Sequence, residues 1–104
     1  PIFGVQNLYS EAECSIWPVP ATGKIAPIHA AGAPPIVVVG STGDPITPYR
    51  WAQNLASELD HGVLLTRVGD GHTAYAASSC IRSAVDSYLI DLTLPAAGTR
   101  CPSD

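Results

Sequence analysis

Two short segments hold the residue types that acid–base chemistry needs. Gly43-Asp44-Pro45-Ile46-Thr47-Pro48 carries a carboxylate in a proline-rich loop, and Gly69-Asp70-Gly71-His72-Thr73 carries an imidazole between a glycine and a threonine. A carboxylate bonded to one imidazole nitrogen fixes the tautomer and leaves the other nitrogen free as a base, so Asp44 and His72 together would form two-thirds of a nucleophilic triad. A nucleophile elbow needs G-x-S-x-G on a sharp strand-to-helix turn. The nearest run, Val39-Gly40-Ser41-Thr42-Gly43, lacks the first glycine and leads into Asp44-Pro45, so Ser41 reads as a strand-end residue. Asp70 reads as the turn former of its Gly-Asp-Gly loop rather than as a second acid. His29 and His61 gain nothing from their neighbours. A metal site built from Asp44, His72 and His61 has nondescript spacing and no assisting cysteine, so neither metal nor cofactor is expected.

For Asp44 and His72 to meet, the elements before them must deliver both to one rim. Ile36-Val37-Val38-Val39, a continuous β-branched run closed by Gly40, predicts a strand covered on both faces, as in a parallel sheet. Val63, Leu64, Leu65 and Val68 predict a second. Between them Thr47 can cap a helix and Pro48 can take its first position. Trp51, Ala52, Leu55, Ala56 and Leu59 would be its buried face, and Asp60-His61-Gly62 its end. A longer helix is predicted from about Tyr75 to Asp91, with Ala77, Ile81, Ala84, Val85, Tyr88 and Leu89 on one face and Arg82, Ser83 and Asp86 on the other. The order strand, helix, strand, helix predicts an α/β layer of two parallel strands with flanking helices. Ligands of such sheets gather outside the carboxyl ends of the strands, where both loops lie. Upstream, Val5, Leu8, Tyr9, Ala12 and Ile16 predict a short helix within residues 1–20, stopped by Pro18 and Pro20. Residues 21–34 read as an extended linker leading into residues 35–104.

With 104 residues, 46% of them hydrophobic and 13% charged, the chain suits one domain with a modest core and not a disordered segment. Its net charge is −4 and its five basic residues are scattered singly, which leaves no stripe for nucleic acid. No apolar run approaches the roughly 18 residues of a membrane span. Two strands make a poor sheet, because a pair covered on both faces leaves an edge and an apolar face without neighbours. Pro1 is not an initiator methionine either. The chain is therefore expected to be a piece of a longer polypeptide, with the N-terminal remainder as its partner, and to self-associate when alone. Cys14, Cys80 and Cys101 lack C-x-x-C spacing. In an oxidising compartment two would pair. A Cys80–Cys101 bond would bracket the last helix and its return, closing a loop worth about 3 kcal/mol in the chain-entropy model. Cys14 would then be unpaired within the chain, with a partner outside it. A bond from Cys14 to Cys80 or Cys101 stays open.

The Asp44 segment after a β-branched strand, then Gly71-His72-Thr73 after the next, resembles the end of an α/β-hydrolase. Cys14-Ser15-Ile16-Trp17-Pro18, and the tail from Cys80 through Tyr88-Leu89, Leu94-Pro95 and Gly98 to Cys101, extend the likeness over nearly the whole chain. Together they closely resemble the C-terminal domain of the secreted tripeptidyl-aminopeptidase-like serine hydrolases of actinobacteria. The resemblance implies the C-terminal portion of an α/β-hydrolase fold, hydrolysis of a peptide or ester, and a secreted or cell-envelope location. It also implies that Asp44 is the triad acid and His72 the general base, with the serine upstream and outside the chain. Alone, the chain is expected to be inactive. The alternative is a non-catalytic binding module that keeps hydrolase-like loops, which would be a stable monomer without exposed core surface.

Overall fold

The computed structural model describes residue 12 and residues 15–104. The helix expected within residues 1–20 lies almost wholly outside them, as does Cys14. Residues 20–29 are exposed and contain no helix or strand. The folded part then runs β1 (Ile36–Gly43), α1 (Tyr49–Glu58), β2 (Gly62–Asp70), a 3-10 turn (Tyr75–Ala77), α2 (Ser79–Asp91) and β3 (Arg100–Pro102). The strands form one parallel sheet in the order β1-β2-β3.

Register assigns the two faces of this sheet. Val39 pairs with Leu65, and Arg67 pairs with Cys101, so alternate residues place these four side chains on one side. There Leu65, Ala74, Ile81 and Cys101 form the buried cluster, with Val37, Ala84 and Val85 of β1 and α2 against it. The opposite face carries Gly40 and Thr66, also a register pair, and belongs to α1. Tyr49 reaches across to share a 2.7 Å hydrogen bond with Thr66 Oγ1. A Cβ at Gly40 would come within 2.7 Å of Ala52 Cβ, so glycine there lets α1 lie close to the strand. The result is a thin three-layer α/β unit of the kind a partial α/β-hydrolase fold contains.

Four departures from the sequence reading have local causes. The sheet has three strands where two were expected, because Arg100–Pro102, too short to show alternation, pairs with Thr66–Val68. Cys101 in this strand is bonded to Cys80 at the start of α2, with the Cα atoms 5.6 Å apart. The last helix begins at Ser79 rather than Tyr75. Ser78 is extended and caps it, its Oγ accepting from Ile81 N, while the same hydroxyl donates to the Pro102 carbonyl at 2.6 Å. Thr47 does not cap α1, since its side chain is turned to Asp44 instead. Finally, the expected buried face of α1 is only partly covered: Leu59 is buried, but Trp51 and Leu55 are 53% and 39% exposed. They flank an open groove of about 540 Å³ beside the outer edge of β1.

Replacing Cys80 and Cys101 by serine should cost about 2–4 kcal/mol in denaturant unfolding. It should also release β3 first, so that the Thr66 amide, which donates to the Thr99 carbonyl, loses exchange protection before the β1–β2 amides do. The β1 edge, unpaired among the described residues, and the open groove should make the chain associate with itself. Sedimentation velocity should report masses above the monomer, and Trp51→Asp should shift them towards it. A monomer at every concentration would mark a self-contained module.

Candidate active site

Parallel pairing brings the two chemical segments to one rim. Both β1 and β2 run further than their apolar runs, to Gly43 and Asp70, which are register partners beyond an irregularity between Ser41 and Gly43. Thr42 bridges that irregularity: its hydroxyl accepts from Gly69 N at 3.0 Å and lies 3.4 Å from the Gly69 carbonyl. Gly71 N then donates to the Gly43 carbonyl at 3.2 Å. Asp44 and His72 therefore leave adjacent strand ends side by side. A Cβ at Gly43 would meet the tip of the Asp70 side chain and crowd the Asp70 Cα at 3.1 Å, which shows how closely the two strand ends run.

Asp44 is the most heavily bonded side chain of the rim. Its Oδ1 accepts from the amides of Ile46 and Thr47, both at 2.9 Å, and its Oδ2 accepts from the Thr47 hydroxyl at 2.9 Å and from Thr73 N at 3.4 Å. His72 Nδ1 lies 2.9 Å from Oδ2 and 3.1 Å from Oδ1. The Asp44 side chain is 4% exposed and the His72 ring 42%. Desolvation opposes ionisation of Asp44, but the bonds from Thr47, Ile46 and His72 outweigh it and hold the carboxyl well below the usual carboxylate range. An ionised carboxylate has no proton to donate, so Nδ1 must carry one. His72 Nδ1 is thereby the donor of the pair, and in the neutral ring this is the Nδ1–H tautomer, whose lone pair is on Nε2. Nε2 has no hydrogen-bond partner among the described residues, and the ring faces the groove beside Trp51 and Tyr75. Such a pair can accept a proton at Nε2 and stabilise the imidazolium that results.

Ser41 is 2% exposed, and its hydroxyl donates to the Thr73 carbonyl at 3.2 Å rather than meeting the imidazole. Asp70 makes no bond to His72. His61 precedes β2 at its amino end while His72 follows its carboxyl end, so these two and Asp44 do not converge. Among the described residues no three His, Cys, Asp or Glu side chains converge on a metal position.

Sequence reasoning missed Arg67. It is 6% exposed and sits on the sheet face beneath the His72 loop. Its Nη1 lies 3.3 Å from the Thr73 carbonyl, 3.5 Å from the Gly71 carbonyl and 3.4 Å from Ser41 Oγ. The available signal was a cation inside the apolar run Val63–Val68, at a position whose alternation partners, Val63 and Leu65, point inward.

A family model described as TAP-like protein matches residues 1–101. Carboxylesterase B of Mycobacterium tuberculosis is 45% identical over 89 residues, which is 85% of this chain and 17% of the relative. Serine protease Hip1 of the same species is 44% identical over the same shares. Tripeptidyl aminopeptidase of Streptomyces lividans is 27% identical over 103 residues, 97% of this chain and 19% of the relative. The chain thus spans less than a fifth of the curated relatives it matches. From its first residue through Cys101 in β3, the chain belongs to the TAP-like family of α/β-hydrolases.

Proposed function

We propose that this chain supplies the acid and base of a Ser-Asp-His triad in an exported serine hydrolase of the tripeptidyl-aminopeptidase type, with the serine outside the 104 residues. The observation that carries the reading is the 2.9 Å bond from His72 Nδ1 to a buried, ionised Asp44, which leaves Nε2 unpartnered on the groove side. His72 Nε2 would take the proton of the serine hydroxyl as it attacks the scissile carbonyl. It would then return that proton to the leaving amine as the tetrahedral intermediate collapses. Asp44 stays ionised throughout, holding the ring in orientation and balancing the imidazolium charge. Relatives named as a serine protease, a carboxylesterase and tripeptidyl aminopeptidases support hydrolysis of an acyl group, and a peptide is the proposed substrate.

The uncovered groove beside β1 supports a chain completed by more polypeptide, and is at odds with the alternative of a self-contained binding module, which would not leave Trp51 and Leu55 bare. The Cys80–Cys101 bond supports an oxidising, extracytoplasmic location. Because Ser41 is buried and bonded away from the imidazole, the isolated chain is proposed to be inactive.

In a protein that joins this segment to its serine, Asp44→Asn should lower kcat by about 10⁴-fold, because the amide favours the wrong imidazole tautomer. Retention of activity within tenfold would refute the assignment. The lowered carboxyl of Asp44 also makes an acid-side prediction. Its contribution to stability should be whole above about pH 4, the ordinary carboxylate value, and should be lost as pH falls from there towards its lower folded value. Denaturant unfolding of the chain and of its Asp44→Asn variant should show a gap that is present at about pH 5 and closes in stronger acid.

A further inference from the structure

We infer that Arg67 is a positioning residue for His72, a buried clamp that holds the strained backbone on which the imidazole stands. The inference deepens the proposed function and rests on it for its catalytic consequence. Its geometry stands independently. Thr73, directly after His72, has φ +66°, a left-handed conformation that a β-branched residue adopts only under constraint. Gly71, directly before it, has φ +103°, which glycine tolerates. The loop that carries His72 therefore contains one residue out of its preferred backbone well, and strain of this kind persists only where the surroundings over-determine it.

The surroundings do so at both ends of Thr73. Its N–H donates to Asp44 Oδ2 at 3.4 Å. Its carbonyl accepts from Ser41 Oγ at 3.2 Å and from Arg67 Nη1 at 3.3 Å. The same guanidinium nitrogen lies 3.5 Å from the Gly71 carbonyl, so one cation spans the two peptide oxygens that flank His72. Each of these bonds is long, and together they hold the Thr73 peptide from both sides.

Nothing else in the surroundings accounts for a guanidinium here. Among the described residues no carboxylate stands within ion-pair distance of Arg67, and its Nε is buried without a partner. Burying a cation and orphaning one donor is costly. A leucine at this position would pack on the neighbouring cluster without that cost. What only an arginine supplies is a donor stiff enough to reach two carbonyls from a strand four residues earlier. Without it the Thr73 backbone would relax towards ordinary φ, turning the imidazole away from Asp44.

The test is imidazole nitrogen-15 NMR on the chain, a readout of the Asp44–His72 geometry that requires no hydrolysis. The unsubstituted chain should show one His72 tautomer and a slowly exchanging Nδ1 proton. Arg67→Met should lose that proton and mix the tautomers while the methyl signals of Leu65 and Ile81 stay in place. Adding Thr73→Gly should restore the proton signal at least in half, because glycine adopts the left-handed backbone without strain. Should Arg67→Met collapse the Leu65 and Ile81 signals, Arg67→Lys, which keeps the charge and loses the fork, is read in the same way. A variant at position 67 that keeps the proton and single tautomer of the parent chain overturns the inference, as does a loss that Thr73→Gly does not repair. These outcomes are separate from the Asp44→Asn activity assay, which can fail while the clamp stands.

Discussion

The bond between the Asp44 carboxylate and His72 Nδ1 is the interaction around which the rim of this sheet is organised. It joins two loops that are 28 residues apart in the chain. Its strength depends on Asp44 remaining ionised although its side chain is almost fully enclosed. That is achieved with neutral donors, chiefly two backbone amides and a threonine hydroxyl, and among the described residues no Lys or Arg side chain competes with the imidazole for the carboxylate. The turn from Asp44 to Thr47 serves twice. It satisfies the carboxylate, and it sets the direction in which α1 departs.

Support for the pair extends through both faces of the sheet. On one face, α1 lies close because Gly40 has no side chain to hold it away. On the other, Leu65, Ile81 and Cys101 seat α2, and the disulfide ties β3, which pairs with β2 at Arg67, to the start of α2. The core that does this is small, and the β1 side is open. A site that needs its two loops held to within a fraction of an ångström is thus built on a sheet that ends abruptly, consistent with a segment spanning less than a fifth of its relatives. The free edge is where the proposed remainder of the hydrolase, with its serine, would complete both the sheet and the triad.

Much of this was legible in the chain. The β-branched run at Ile36–Val39, the apolar run at Val63–Leu65 and the periodic segment around Ile81–Tyr88 identified the α/β layer, because period and composition are local properties that survive folding. The Asp44 and His72 segments stood out for the same reason: glycine, proline, acid and imidazole at strand ends are readable one residue at a time. Three cysteines allow more than one pairing, and the structure bonds Cys80 to Cys101, the two that bracket the last helix, with their Cα atoms 5.6 Å apart.

What the tertiary structure alone decided were features that depend on a distant partner. Arg100–Pro102 becomes a strand because Thr66–Val68 offers it an edge, and three residues carry no period of their own. Thr47 leaves unfilled the capping role its position suggests: its hydroxyl is turned to donate to the Asp44 carboxylate and accepts from no amide of α1. Trp51 and Leu55 stay bare because burial needs a second surface that these residues do not provide. Arg67 looks like one more scattered charge until register turns it inward beneath His72. Amino-acid types and their spacing determined which groups could do chemistry and which elements would carry them. The fold determined which groups meet, because a hydrogen bond between loops 28 residues apart is set by strand order and register, and neither is written in any local window of sequence.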